Sequence, residues 1–185
     1  MFFKEEAELE DVKLVRLTLS EDTDYYEKLV VRYQEKILRY LLRLLNYNHQ
    51  DAEDVTSETF MKAYINLASF NQQMKFSSWL YRIAHNEAVN LIKKKSKSFS
   101  VDLDNFQHLS EEIDFEKPRK DDLEKILAKL KIDDRNILTL FYLEERSLRE
   151  ISDILKITEN NVAVKLKRAR DKAKKITNQT HQADI

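Results

Sequence analysis

The sequence predicts an all-α protein made of two small helical domains joined by a flexible linker, the C-terminal one a helix-turn-helix. Three observations carry that expectation. The 185 residues include no glycine and one proline, while Leu, Lys, Glu and Ala abound; an average chain of this length holds roughly thirteen glycines. Apolar residues recur at spacings of three and four through several long runs. Between those runs, residues 96–118 lose the period, turn rich in Ser and acids, and hold Pro118.

The elements follow in order. Residues 8–19 read as a short helix with Leu9 and Val12 on its apolar side. Residues 22–46 read as a long one, through Tyr26, Leu29, Val30, Tyr33, Ile37, Leu41, Leu44 and Leu45. After the turn NYNHQD, Asp51 or a near neighbour caps a helix over 51–69, with Ala52, Val55, Phe60, Ala63, Tyr64 and Leu67 inward. The polar, aperiodic stretch FNQQMKF is a loop, and Ser77 or Ser78 opens a helix that runs to Lys95. Trp79, Leu80, Ile83, Ala84, Ala88, Leu91 and Ile92 form its stripe, and Phe76 and Trp79 are read as core. Beyond the linker, helices are expected near 120–130, 133–143, 147–155 and 158–175. Ser147 with Glu150 is a capping box, and Thr158 is a good cap for the last helix. The short turn between the last two helices makes a helix-turn-helix pattern. Lys156 stands where that turn usually has glycine, so either the backbone avoids positive φ there or the lysine bears about 1 kcal/mol of strain. The expected domains are therefore 1–95 and 119–176, with a linker at 96–118 and a tail at 177–185.

Composition also excludes. Without cysteine there is no disulfide framework, thiolate nucleophile or cysteine zinc site. Without glycine there is no GxxxxGK phosphate loop and no GxGxxG turn. The four histidines (His49, His85, His108, His181) are dispersed, and no nucleophile–base pair is evident, so neither catalytic residue, metal ligand nor cofactor is expected. His85 reads as a half-buried polar residue. No apolar run approaches the ~20 residues of a membrane span. The start, MFFKEEAELEDVK, is too acidic for a signal peptide, and the cytoplasm is the expected compartment.

The formal net charge of −1 hides segregation. Residues 1–27 hold nine acids and three bases, a net of −6; residues 156–175 hold eight bases and two acids, a net of +6. A second basic knot, Lys93, Lys94, Lys95 and Lys97, ends a separate helix. Local basic patches attract phosphate whatever the total charge. On the last helix Glu159, Asn160, Asn161 and Ala163 sit early, where base edges are read, with Lys165 and Lys167 beyond and Arg168, Arg170, Lys172 and Lys174 mostly for the backbone. In the first domain, aromatic and basic residues interleave around Lys75 and Arg82, a pattern that suits unpaired bases. The amides Asn71, Gln72 and Gln73 stand beside them in the loop. The acids Asp51, Glu53, Asp54 and Glu58 are either capping charge or a docking face for a basic partner.

Three stretches resemble the extracytoplasmic-function group of bacterial sigma-70 factors. DAEDVTSETFMKAY is similar to the helix that binds the clamp of RNA polymerase; FSSWLYRIAHNEAVNLIKKK to the segment that opens and reads the near promoter element; SLREISDILKITENNVAVKLKRARDKAKK to the helix-turn-helix that reads the distal one. The likeness covers about 22–95 and 120–176. It implies core RNA polymerase as the partner of Asp51, Glu53, Asp54, Glu58 and Phe60. It implies capture of a flipped base of the non-template strand by the loop Asn71, Gln72, Gln73 and Lys75, beside a helix carrying Arg82, Asn86, Asn90, Lys93 and Lys94. It implies duplex promoter contact through Asn161, Lys165, Arg168 and Arg170, to which the reading of the basic helix adds Asn160 and Lys167. Many members are held by an anti-sigma factor. The sequence departs from the family at Ala163, where a base is common, at Val164, where Ser is common, and in its missing glycines. Two other classes share the helical features: a dimeric repressor or activator binding duplex unaided, and a helical adaptor that binds no DNA.

Overall fold

The computed structural model describes residues 10–97 and 120–183, and the expected linker lies almost wholly outside them. Among the described residues there are eight α-helices and no strand. They are α1 (Asp11–Ser20), α2 (Asp24–Leu44), α3 (His49–Ile65), α4 (Phe76–Lys97), α5 (Lys120–Lys129), α6 (Ile132–Leu138), α7 (Leu148–Leu155) and α8 (Glu159–Ala183).

The first four helices enclose one core. Leu14, Leu29, Ile37, Leu41, Ala52, Leu80 and Ala84 are completely buried in it. The period-3.6 stripe of α2 supplies most of that surface, and truncating one such Leu or Ile costs about 2–5 kcal/mol. Asp11 fastens α1 to α2 by pairing with Arg32 at 2.6 Å and accepting from the Tyr33 hydroxyl at 2.5 Å. The cap of α3 is Asn48, whose side chain accepts from the Asp51 N–H at 3.0 Å. The helix ends at Ile65, and a 3-10 turn, Leu67–Ser69, leads into the loop. Tyr64, expected inward, is exposed, because the core side of α3 closes with Ala63. Phe70, Phe76, Trp79 and Tyr33 form a connected ring cluster with centroids 5.4–5.7 Å apart, so Phe76 and Trp79 are scaffold.

The last four helices form the second unit. Its core holds Ile126, Leu127, Ile137, Leu138, Ile151, Ile154, Val162, Leu166 and Ala169. The helix expected at 133–143 is divided: after α6 the backbone widens into a π-helical segment, Thr139–Leu143. The Glu144 N–H closes it on the Thr139 carbonyl at 3.0 Å. The capping box of α7 is formed in both directions between Ser147 and Glu150. Thr158 caps α8, its hydroxyl accepting from the Asn161 N–H at 3.3 Å. Helix α8 continues to Ala183, through most of the stretch expected as a tail.

A chain without glycine must still make left-handed turns. Asn46, Tyr47, Glu145 and Lys156 take them, with φ of 57°, 60°, 51° and 54°. Lys156 is thus the strained alternative for the helix-turn-helix corner, and its N–H closes α7 on the Ser152 carbonyl.

The two units pack together, chiefly through α4 against α7, with α2 touching α5, α6 and the π segment. One apolar core cluster runs through both units, and polar groups bridge them at its edge. The Tyr40 hydroxyl, fully buried, donates to Asn136 Oδ1 at 2.8 Å. Asn136 Nδ2 meets His85 Nδ1 at 3.1 Å. The Arg43 guanidinium reaches Glu144 at 3.1 Å and Glu124 at 3.5 Å. The Tyr81 hydroxyl donates to Glu144 at 2.6 Å. Arg135 donates to the Leu44 carbonyl, and Arg146 donates to Ser77 Oγ and lies 4.4 Å over the Tyr81 ring. Arg43 Nε and Arg146 Nε are buried with no protein partner among the described residues, while Arg43 Nη1 and Nη2 and Arg146 Nη1 are engaged.

Candidate polymerase and nucleic-acid interfaces

Three surfaces gather the expected functional residues. The first is the outer side of α3. Glu53 and Asp54 are exposed. Asp51 is engaged by Lys95 from the end of α4, at 2.5 Å, and Glu58 by Lys62 at 3.2 Å, with Glu87 on the same ammonium at 2.5 Å. Those pairs leave Glu53 and Asp54 as the open negative charge. Phe60 is buried, and its carbonyl accepts from the Tyr26 hydroxyl at 2.7 Å. It holds α3 on α2 and offers no surface to a partner in this arrangement. Beside the acids, Met61, Tyr64 and Ile65 are exposed, the last at 70%; a search for charge patterns passes over this apolar strip.

The second surface is the loop between Phe70 and Phe76 and the start of α4. The aromatic cluster pins both loop ends, so Asn71, Gln72 and Gln73 stand exposed at its tip. Asn71 Oδ1 accepts from the Gln73 N–H at 2.9 Å, a local turn of the kind asparagine side chains make. Gln72 is held by Arg16 of α1, at 2.6 and 3.0 Å; nothing in the sequence pattern pairs those positions. Asn86, Asn90, Lys93 and Lys94 lie exposed along α4. Lys75 pairs with Glu150 at 3.0 Å, and Arg82 Nε donates to the Asp153 carbonyl at 2.8 Å. Both partners belong to α7. Burial works to raise the Glu150 carboxyl, but the Ser147 N–H, Lys75 and the Ser147 hydroxyl overcome it and hold the group at about 2.

The third surface is α8. Asn160, Asn161, Lys165, Lys167 and Arg168 are exposed on one side, opposite buried Val162, Leu166 and Ala169. Arg170 is engaged within the fold: its guanidinium lies 5.2 Å over Phe141 and 5.5 Å over Tyr142. The widened π segment presents both rings to it, and this stacking fixes α8 to the unit. Lys172 is likewise engaged, with Asp134 at 2.6 Å. Ala163 and Val164 sit exposed among the candidate readers. Among the described residues, no group of three His, Cys, Asp or Glu side chains is placed to hold a metal ion.

Two family models match in the same order as these surfaces. Sigma-70 region 2 matches residues 29–98, and Sigma-70 region 4 matches residues 120–172. Whole-chain relatives agree. The chain is 30% identical to the ECF RNA polymerase sigma factor SigW of Bacillus subtilis, over 88% of this chain and 94% of the relative. It is 32% identical to SigM of the same organism, over 79% of this chain and 91% of the relative, and 32% identical to the sigma-E factor of Salmonella typhimurium. Among solved structures, CnrH in complex with the cytosolic domain of CnrY shares the fold, with a TM-score of 0.66 at 20% identity, over 91% of this chain and 97% of that one. RpoE of Bartonella quintana, solved with the anti-sigma factor NepR, gives 0.65 at 20% identity, over 83% of this chain and 96% of that one. The chain belongs to the ECF group of RNA polymerase sigma factors.

Proposed function

We propose that this protein binds core RNA polymerase, directs it to promoters, and stabilises the opened DNA so that transcription starts there. The observation that carries the reading is the ordered pair of region 2 and region 4 within one chain that matches an ECF factor over 94% of that factor's length. The residue roles follow from exposure and charge. Glu53 and Asp54, with Asp51 and Glu58 behind them, form the polymerase-facing side of α3, and Phe60 supports it from the core. Asn160, Asn161, Lys165, Lys167 and Arg168 fix register on duplex DNA through phosphates and a few base edges. The loop Asn71, Gln72, Gln73 and Lys75, with Arg82, Asn86, Asn90, Lys93 and Lys94, captures unpaired bases of the non-template strand. Unstacking a base costs a few kcal/mol, which stacking and phosphate contacts offset. Bond-making chemistry then belongs to the polymerase. Among the described residues no helix is long and apolar enough to cross a membrane, which fits action in the cytoplasm. One similar fold was solved with an anti-sigma factor and another with the cytosolic domain of CnrY, and an anti-sigma protein is a fitting regulator here.

The test is run-off transcription with core polymerase and a library of genomic fragments, paired with co-elution. Promoter-dependent initiation and a chain–core complex are expected. Neutralising Asp51, Glu53, Asp54 and Glu58 together should abolish co-elution while helicity is retained. No initiation and no complex with the intact chain would overturn the reading.

A further inference from the structure

We infer that Val164 is a specificity-determining residue of α8, and that it reads the 5-methyl group of a thymine in duplex promoter DNA. This rests on the proposed reading of α8 as the helix that meets the distal element.

The placement carries it. Buried Val162, Leu166 and Ala169 turn one side of α8 toward its own unit. Val164 stands two residues from both Val162 and Leu166. At 3.6 residues per turn, two steps carry a side chain round to the opposite side of a helix. Val164 therefore lies on the outward crest of α8, and its exposure of 42% agrees. Asn160 and Arg168 lie one turn before and one turn after it on the same crest, and Asn161 and Lys167 flank it at spacings of three. All four are exposed. The valine is thus at the centre of the polar and basic side that would enter a groove.

A lone apolar residue on a surface signifies little by itself; its position among the readers is what singles this one out. Val164 belongs neither to the core nor to the partly buried residues packed against it. A β-branched residue is also a poorer helix former than the lysines and arginines around it, so the helix gains nothing from it there. In the major groove, base pairs offer donors, acceptors and one apolar group, the C5-methyl of thymine. A valine side chain has no donor or acceptor, so that methyl is the feature it can select. Burying the methyl against the valine removes apolar surface from water. Asn160, Asn161 and Lys165 are left to hydrogen-bond the neighbouring base edges. Ala163, exposed beside the valine, has no atom beyond Cβ to hold the helix away from the groove.

Deoxyuridine tests it, because it lacks only the methyl and keeps every hydrogen-bonding group of thymine. Thymines of the upstream duplex, in a promoter fragment from the run-off library, are replaced one at a time on either strand. Binding of the chain with core polymerase is then measured by competition. The parent should lose about fourfold in affinity at one or two positions, the effect of one buried methyl. Val164→Ser should bind the thymine fragment about as weakly as the parent binds the deoxyuridine one, and should be indifferent to the replacement. Val164→Ile should keep the parent's sensitivity, and so should Lys165→Ala, although it binds more weakly overall. The position is exposed, so these variants keep their helices, which circular dichroism checks. No sensitive position in the parent, or equal sensitivity in Val164→Ser, would overturn the assignment. Neither result touches promoter-dependent initiation by the parent chain on unmodified fragments, which tests the underlying reading separately.

Discussion

Lys156 shows what one residue bears in a chain without glycine. Its φ of 54° and ψ of 44° place it in the left-handed region, where a Cβ meets the following carbonyl oxygen. Lys156→Gly should raise unfolding stability by about 0.5–1 kcal/mol, the relief of strain less the greater freedom of glycine in the unfolded chain. Urea denaturation measures it; a fall in stability would mean that the lysine side chain contributes more than the strain costs. Arg168 and Arg170 differ sharply although they are two residues apart. Arg168 is exposed, and Arg170 lies over Phe141 and Tyr142. Arg168→Ala should weaken duplex binding and reduce the salt slope by about one, as should Lys165→Ala. Arg170→Ala should instead lower stability, by about 1–2 kcal/mol, through lost ring contact. Salt titration and thermal melting separate the two effects.

At the scale of elements, most of what the helices do was readable from period and caps. The stripes of α2 and α8 point inward as their spacing predicts, and the Ser147–Glu150 box forms. Two features were not readable. The π segment has no signature in TLFYL, because a one-residue widening of the ladder leaves the apolar pattern almost intact. The second buried side of α4 was hidden for another reason. Ser77, Tyr81, Arg82 and His85 face the other unit with polar atoms, and apolar periodicity cannot detect polar contacts. His85 reports on that interface. Burial holds its imidazole below the ordinary 6.5, with Asp133 pulling the other way. A depressed histidine is neutral in the fold and binds protons more readily when unfolded. Stability therefore rises with pH up to about 6.5 and falls as pH drops below it. Protonation also removes the Nδ1 lone pair that accepts from Asn136. The urea midpoint should decrease between about pH 7 and pH 5.5, and His85→Gln should flatten that dependence; an equal slope in the variant would assign it to other groups.

For the whole molecule, charge segregation is the organising fact. The near-zero total conceals an open acidic pair on α3, Glu53 and Asp54, and an open basic side on α8. The sequence alone marks the acids of α3 and the bases of α8 and names the loop and α4 as candidates for unpaired bases; which acids stay open is a matter of the Lys95–Asp51 and Lys62–Glu58 pairs. What it does not show is that Arg82 and Asn161 share a groove in the free chain, since that depends on packing between units rather than within them. The central claim is that opening is stabilised by binding, with both units engaged on one promoter. Permanganate footprinting of unpaired thymines, on a promoter fragment from the run-off library, tests it most directly. Core polymerase plus this chain should expose reactive thymines just upstream of the start site. Core alone should not, and neither should core with a chain substituted Asn71→Ala, Gln73→Ala and Lys75→Ala. Reactive thymines with core alone, or undiminished reactivity with the substituted loop, would contradict the account.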